Sequence, residues 1–423
     1  MAGGGSIRQA GEERSARIES LRALAALGVV VSHVYGAAFA FGATVYATFP
    51  HRILFGGGDG VWVFFVLTGY LLFWPFARTL YGDAPVDVRR YALNRALRIL
   101  PLYYAAVVVF LVAQEHGGSP GQWWRFGLFA ENFSSSTLER VDGVMWSLVI
   151  EVQFYALLPL LAWGLARTAR DSIRRAALLI ALVGTASLAL RLALVQLASH
   201  PHPLWQFSLP TTLFFFAAGM LLALGRLVWE RTPPRWARGP LSRGDVWVLA
   251  AVPLFVLACW RYDLHPVVAL AAVLLIGACV LPLRPGRLVR ALEWRPLAAL
   301  GVASYSLYIW HLPIVLHLAH HFRGRPAEAL AVELPLLIAV AALSYALVEA
   351  PFLRLRRRWS PSTPSNSRTR RAGAPTYSPF GAVSSTTTAP APITQPGPTV
   401  TPGSTIARVP TQQPSPTETG PVR

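Results

Sequence analysis

Apolar positions in this chain fall in long blocks, with polar, Pro- or Arg-containing segments between them. Ten blocks lie at roughly 18–42, 57–78, 98–115, 144–166, 174–197, 208–229, 244–260, 266–283, 295–319 and 330–353. A helix crosses a bilayer core with about 17–25 apolar residues, because every backbone polar group at that depth must bond within its own segment. The pattern therefore predicts an all-α, polytopic integral membrane protein with about ten transmembrane helices. From about Ser360 the blocks stop and Pro, Ser, Thr and Gly take over, leaving too little apolar surface to offset chain entropy. The expected organisation is a cytoplasmic N-terminal segment 1–17, a membrane domain 18–357 and a disordered cytoplasmic tail 358–423. The first block lacks a following small-residue cleavage site and is expected to stay in place as a signal anchor.

Arginine positions give the blocks a direction. Loops that would lie on one side hold 25 Arg, and the alternate loops hold 6. Such an alternation at every loop is the positive-inside pattern, and it places both termini on the cytoplasmic side of a cell membrane. Composition agrees: 54% of residues are hydrophobic and only 14% charged, against about 25% charged in an ordinary soluble domain. A soluble enzyme is excluded. The net charge of +18, with no Lys in the sequence, would suggest nucleic acid if the Arg formed a patch on a soluble fold. Here they flank apolar spans, so the expected partner is the bilayer, and no nucleic acid. Cys259 and Cys279 both fall inside apolar blocks, which excludes a disulfide scaffold and a Cys-based metal site. No metal is expected.

Ionisable groups at bilayer depth are costly, and each is a candidate for function. In RIESLRALAALGVVVSHVYG, Arg22 and His33 are 11 positions apart, hence within about 20° of one helix face and about 16 Å apart along it. They form either one wall of a polar passage or a snorkelling Arg and a hydrogen-bonded His. Arg95 and Arg98 in RRYALNRALRILPLYY are neighbours on a helix, suited to clamp a phosphate or simply to meet lipid headgroups. Glu151 in MWSLVIEVQFYALLPLL needs an Arg or His partner from another helix, in a catalytic or a structural pair. His311, among Ser304, Tyr305, Ser306 and Tyr308, is read as an interhelical hydrogen bond ahead of a second active-site imidazole. The glycines of GGGDGVWVFFVLTGYLLF follow no strand and so do not form a nucleotide loop; close helix packing at Gly69 is expected.

The order of these segments carries more than any one of them. R-x-x-x-L-R-A-x-A ending in His33 is followed by G-V-x-x-F-F-V-L-T-G-Y and N-R-A-L-R-I-x-P-x-Y-Y. Then come W-S-L-x-x-E-x-x-F-Y, S-Y-S-L-Y-x-W-H and V-E-A-P-F. Over about residues 15–357 the series resembles the acyltransferase-3 family of integral-membrane O-acyltransferases. The resemblance implies transfer of an acyl group, usually acetyl, from acyl-CoA to a hydroxyl. The acceptor would be a carbohydrate, glycolipid, cell-envelope glycan or secondary metabolite. It implies no resident cofactor, with acyl-CoA as co-substrate. It also implies catalytic His33 and Glu151, and donor-binding Arg22, Arg95 and Arg98. Thr68, where the family commonly has Ser, is a secondary candidate, with Tyr305 and His311. Many members carry a carboxylate one turn after the His; here Val34, Tyr35 and Gly36 stand there, and Glu151 is the expected orienting partner of His33. A neutral imidazole is suited to take a hydroxyl proton near pH 7. The alternative is a polytopic transporter whose intramembrane Arg, His and Glu line a substrate or proton pathway.

The arginine asymmetry predicts the sidedness of reporter fusions. Fusions after Asp142 should read outside, and fusions after Arg238 or in the tail should read cytoplasmic. A tail that reads outside would overturn the topology.

Overall fold

The structure is a computed structural model that describes residues 3–359, apart from 43–47, 81, 114, 135, 139–142, 170–171, 197–202 and 262–263. The tail expected from about Ser360 lies outside the described residues. Sixteen α-helices run along the described chain: α1 (Gly3–Ala38), α2 (Phe49–Gly56), α3 (Gly60–Thr79), α4 (Val88–Ala113), α5 (Pro120–Gly127), α6 (Met145–Ala169), α7 (Ile173–Arg191) and α8 (Pro203–Gln206), then α9 (Leu209–Arg231), α10 (Gly244–Trp260), α11 (His265–Val280), α12 (Arg287–Ala291), α13 (Arg295–Val302), α14 (Ser304–Leu318), α15 (Pro326–Ser344) and α16 (Ala350–Trp359). Among the described residues there is no β-strand, only an isolated bridge between Arg243 and Arg284. This is an all-α, polytopic membrane fold.

Among the described residues, seven helical stretches are long and apolar enough to cross a bilayer. An eighth candidate is the pair α13–α14, bent by 70° at Ala303. The apolar helices α10 and α11 have 17 and 16 residues, shorter than the about 20 that a perpendicular crossing needs. Two expectations change. The block at 295–319 is a broken helix, not one straight span, and α1 reaches back to Gly3 through the N-terminal segment. Prolines inside α3, α4, α6, α10, α14 and α15 interrupt none of these helices, in keeping with their tolerance in membrane helices whose neighbours re-satisfy freed carbonyls.

Helices α4, α7 and α15 present Val108, Val112, Leu178, Leu182 and Leu343 outward, all exposed. The apolar surface faces out and the polar residues face in, as a bilayer solvent requires. Inside, α3 and α9 press together over a ladder of rings. Trp62 stacks on Phe215 at 4.6 Å, Phe65 on Phe216 at 4.8 Å, and Phe154 on Phe216 at 4.1 Å. Gly69 and Gly219 permit that approach. A Cβ on Gly69 would lie 2.8 Å from Phe216 Cα, and one on Gly219 would lie 2.6 Å from the Tyr70 nitrogen. The packing expected at Gly69 is what the structure shows. α1 runs through the middle of the fold and touches α3, α13, α14 and α15.

The connection between α4 and α6 folds back on α4. Its Glu131 is 2% exposed, and the Tyr103 hydroxyl donates to Glu131 Oε1 at 3.1 Å and to the Phe126 carbonyl at 2.9 Å. Burial pushes the Glu131 carboxyl up to about 8, against the opposing pull of its hydrogen bonds. The folded state therefore keeps a proton that the unfolded chain has lost between about pH 4.5 and 8. This contribution to stability is full below that window and is lost as pH rises through it. Glu131→Gln, neutral at every pH, should remove this component. Thermal unfolding in detergent should show the wild-type melting temperature falling relative to the variant from about pH 5 to 8.

Candidate active site

Five helices supply the walls of one cavity of about 130 Å³. α1 contributes Arg22, α3 Thr68, α4 Arg95 and Arg98, α6 Ser147, Glu151 and Tyr155, and α14 Ser304, Tyr305 and Tyr308, over a floor that includes Phe64, Phe65, Leu71 and Leu72. Helical spacing brings each set to one face. Arg95 and Arg98 are one turn apart, and Ser147, Glu151 and Tyr155 follow each other at intervals of four. The bend at Ala303 turns the first residues of α14 into the cavity wall. Arg22, Arg95, Arg98, Glu151, Thr68 and Tyr305, chosen from the sequence, thus converge on a single space.

The carboxylates are distributed around the cations. Arg22 Nη1 donates to Glu19 Oε2 at 3.0 Å, one turn back on α1. Glu151 accepts from Thr68 Oγ1 at 3.1 Å on one oxygen and from the Tyr155 hydroxyl at 2.7 Å on the other. Glu349, in the π-helical segment Tyr345–Glu349 ahead of α16, accepts on Oε1 from the Ser306 amide at 3.2 Å and the Ser306 hydroxyl at 2.6 Å. It therefore caps the opening turn of α14, where a negative charge suits the helix dipole. It also acts electrostatically on Arg98 and Arg22. Tyr305 reaches across to the Ile99 carbonyl at 3.0 Å, fixing α14 against the helix that carries the Arg pair.

The imidazoles sit elsewhere. His33 does not line the cavity, although Arg22 of the same helix does. Its Nδ1 is 2.9 Å from the Val29 carbonyl and 3.3 Å from His311 Nε2. The two rings lie 5.0 Å apart at 60°. His311 is wholly buried, and its Nδ1 is 2.6 Å from the Tyr308 carbonyl. The interhelical bond expected of His311 is present, and His33 is its partner. The expected pairing of Glu151 with His33 is corrected. Glu151 bonds Thr68 and Tyr155 because α6 faces α3 at that level, while α14 is the helix that meets α1 at His33. Tyr308 joins the two parts. Its side chain lines the cavity, its hydroxyl hydrogen-bonds the Ser147 hydroxyl at 2.8 Å, and its carbonyl holds His311.

Sequence reasoning passed over Glu19, Ser147, Tyr155, Tyr308 and Glu349. The signal was there for some, since Ser147 and Tyr155 belong to W-S-L-x-x-E-x-x-F-Y and Glu349 to V-E-A-P-F. A second buried polar cluster gathers around Arg191, which lies 3.1 Å from His265 Nε2, donates to the Gln206 carbonyl at 3.3 Å and stacks over Trp62. Among the described residues, no group of three or more His, Cys, Asp or Glu is placed to hold a metal ion.

Cations, carboxylates and an imidazole pair held this way among apolar helices define a polytopic membrane protein with a built polar site. The chain belongs to the acyltransferase-3 family: residues 15–349 match it, over what is described as an acyltransferase domain. Among its relatives is the O-acetyltransferase OatA of Staphylococcus aureus, from strains NCTC 8325 / PS 47 and MRSA252. Each is 24% identical over 367 residues, covering 79% of this chain and 56% of the relative. The chain thus spans a little over half the length of these curated relatives. No solved structure matches.

The placement of Glu349 makes a prediction about stability. Removing one member of a buried charge network leaves its partners uncompensated and typically costs about 3–5 kcal/mol. Glu349→Ala should lower the melting temperature of the detergent-solubilised protein by several degrees. Glu349→Gln, which keeps an acceptor for Ser306, should lie between the variant and wild type.

Proposed function

We propose that this protein is a membrane O-acyltransferase that moves an acyl group, in the first instance acetyl, from acyl-CoA to a hydroxyl of a carbohydrate, cell-envelope glycan or secondary-metabolite acceptor. The observation that carries this reading is the convergence of Arg22, Arg95 and Arg98, from two helices, on one cavity beside Glu151. Family membership and the name of the relative OatA support the same chemistry. Guanidiniums recognise phosphate and carbonyl oxygens in fixed geometry.

A thioester has a good leaving group, so the main demand on the protein is a nucleophilic acceptor oxygen. His33 is the base in this reading. A positioned base contributes about 10²–10⁴-fold in rate. Arg22, Arg95 and Arg98 bind the phosphates of the donor. Glu151, held by Thr68 and Tyr155, sets the charge balance of the cavity.

The two halves of the site should separate kinetically in purified protein. Arg95→Ala or Arg98→Ala should raise KM for acyl-CoA by about 10- to 150-fold, the loss of one charge-assisted contact. His33→Gln should reduce kcat with donor affinity largely retained, since a base acts in the transition state. An active His33→Gln enzyme would remove His33 from the mechanism. Substrate uptake by proteoliposomes without any acyl donor, and no acyl transfer, would replace the enzyme with a transporter.

A further inference from the structure

The imidazole pair says more than that a histidine is buried. Hydrogen-bond acceptors surround His33 Nδ1, with the Val29 carbonyl at 2.9 Å and His311 Nε2 at 3.3 Å. A carbonyl oxygen can only accept. The Tyr308 carbonyl, 2.6 Å from His311 Nδ1, therefore requires the proton of His311 to be on that nitrogen. In a neutral ring this leaves His311 Nε2 with a lone pair aimed at His33. His33 Nδ1 then faces two lone-pair donors and must carry its own proton. The other tautomer would set three lone pairs against one another. The remaining nitrogen, His33 Nε2, holds the basic lone pair.

We infer that His311 is the positioning residue of the His33 base, filling with a neutral imidazole the role that a carboxylate plays in other His-based sites. The inference rests on the acyltransferase reading and deepens it. Val29 belongs to the same helix as His33, one turn back, so its carbonyl holds the ring to α1. His311 comes from α14 and fixes the ring against a second, rigid element. Two acceptors from two helices leave the ring one orientation and one tautomer.

During transfer, the acceptor hydroxyl gives its proton to His33 Nε2 as its oxygen forms the new bond to the acyl carbon. The carbon–sulfur bond breaks, and the departing thiolate takes the proton from Nε2, which restores the neutral base. In between, His33 is an imidazolium. Its Nδ1 proton, shared with His311 Nε2, then forms a charge-assisted bond, stronger than the neutral bond of the resting state. The stabilisation is specific to the transition state and belongs in kcat, not in donor binding.

Two substitutions in the full-length protein test this. His311→Phe keeps a ring of similar size and removes the acceptor. It should reduce kcat by about 10- to 100-fold while KM for acetyl-CoA stays within about twofold, as expected for the loss of one hydrogen bond to a charged group. His311→Gln places an amide oxygen where Nε2 stood and should recover most of that loss. Equal kcat in both variants, whether high or low, would overturn the assignment, since packing alone does not distinguish an acceptor from a ring edge. A second readout is independent of activity. In ¹⁵N-histidine-labelled protein, with the His33 signals identified by their disappearance in His33→Gln, Nδ1 should be protonated and Nε2 should not. The Nδ1 proton should move upfield in His311→Phe. A His33 protonated on Nε2 would overturn the inference even in an active enzyme. Absence of acyl transfer in wild type, with the expected nitrogen pattern intact, would strike the functional reading alone.

Discussion

A guanidinium carried into a bilayer must be met by acceptors from the protein, because neither lipid nor bulk water will supply them. Part of this fold can be understood as the answer for Arg22 and Arg98, whereas the buried Nε of Arg95 has no hydrogen-bond partner among the described residues. Glu19 meets Arg22 from one turn away on the same helix. Glu349 acts on Arg98 and Arg22 from the π-helical segment before α16, and Glu151 faces the same space from α6. Two of these carboxylates are in turn tied to a second element. Glu151 binds Thr68 of α3, and Glu349 binds Ser306 of α14. The cations therefore help to set the relative placement of α1, α3, α4, α6 and α14, the helices that enclose the cavity.

The break between α13 and α14 follows from the same requirement. A straight helix over 295–319 would satisfy its backbone internally and offer the cavity only side chains. Bent by 70°, it presents a helix start to the interior, with Glu349 on the freed amide of Ser306. Non-helical backbone at membrane depth is tolerated where protein covers it. Tyr305 then spans to α4 and Tyr308 to α6, while His311, one turn further along, meets α1. One helix thus connects the cationic cavity with the imidazole pair. In the acyltransferase reading, those are the donor side and the base.

The apolar blocks were legible in the chain, because a bilayer demands about 20 consecutive apolar residues, but among the described residues they became seven helices of spanning length, one bent pair and two shorter helices. The Arg pair, Glu151 and the two histidines could be singled out because ionisable residues at such depth are rare. Spacing within one helix also sufficed to put Arg95 and Arg98 on one face. The family followed from the order of six short segments.

Partnership did not follow. His33 and His311 are 278 positions apart, Thr68 and Glu151 are 83 apart, and Ser306 and Glu349 are 43 apart. Periodicity fixes the face and depth of a side chain on its own helix. Which helix lies opposite is decided by packing among segments remote in sequence, such as the glycine-mediated contact of α3 with α9 and the ring ladder beside it. The sequence alone therefore determined the membrane class, the apolar blocks and the residue types available for chemistry. Only the tertiary structure decided that His33 is oriented by His311 while Glu151 belongs to the cavity, because those pairings depend on distances between helices that no spacing along the chain contains.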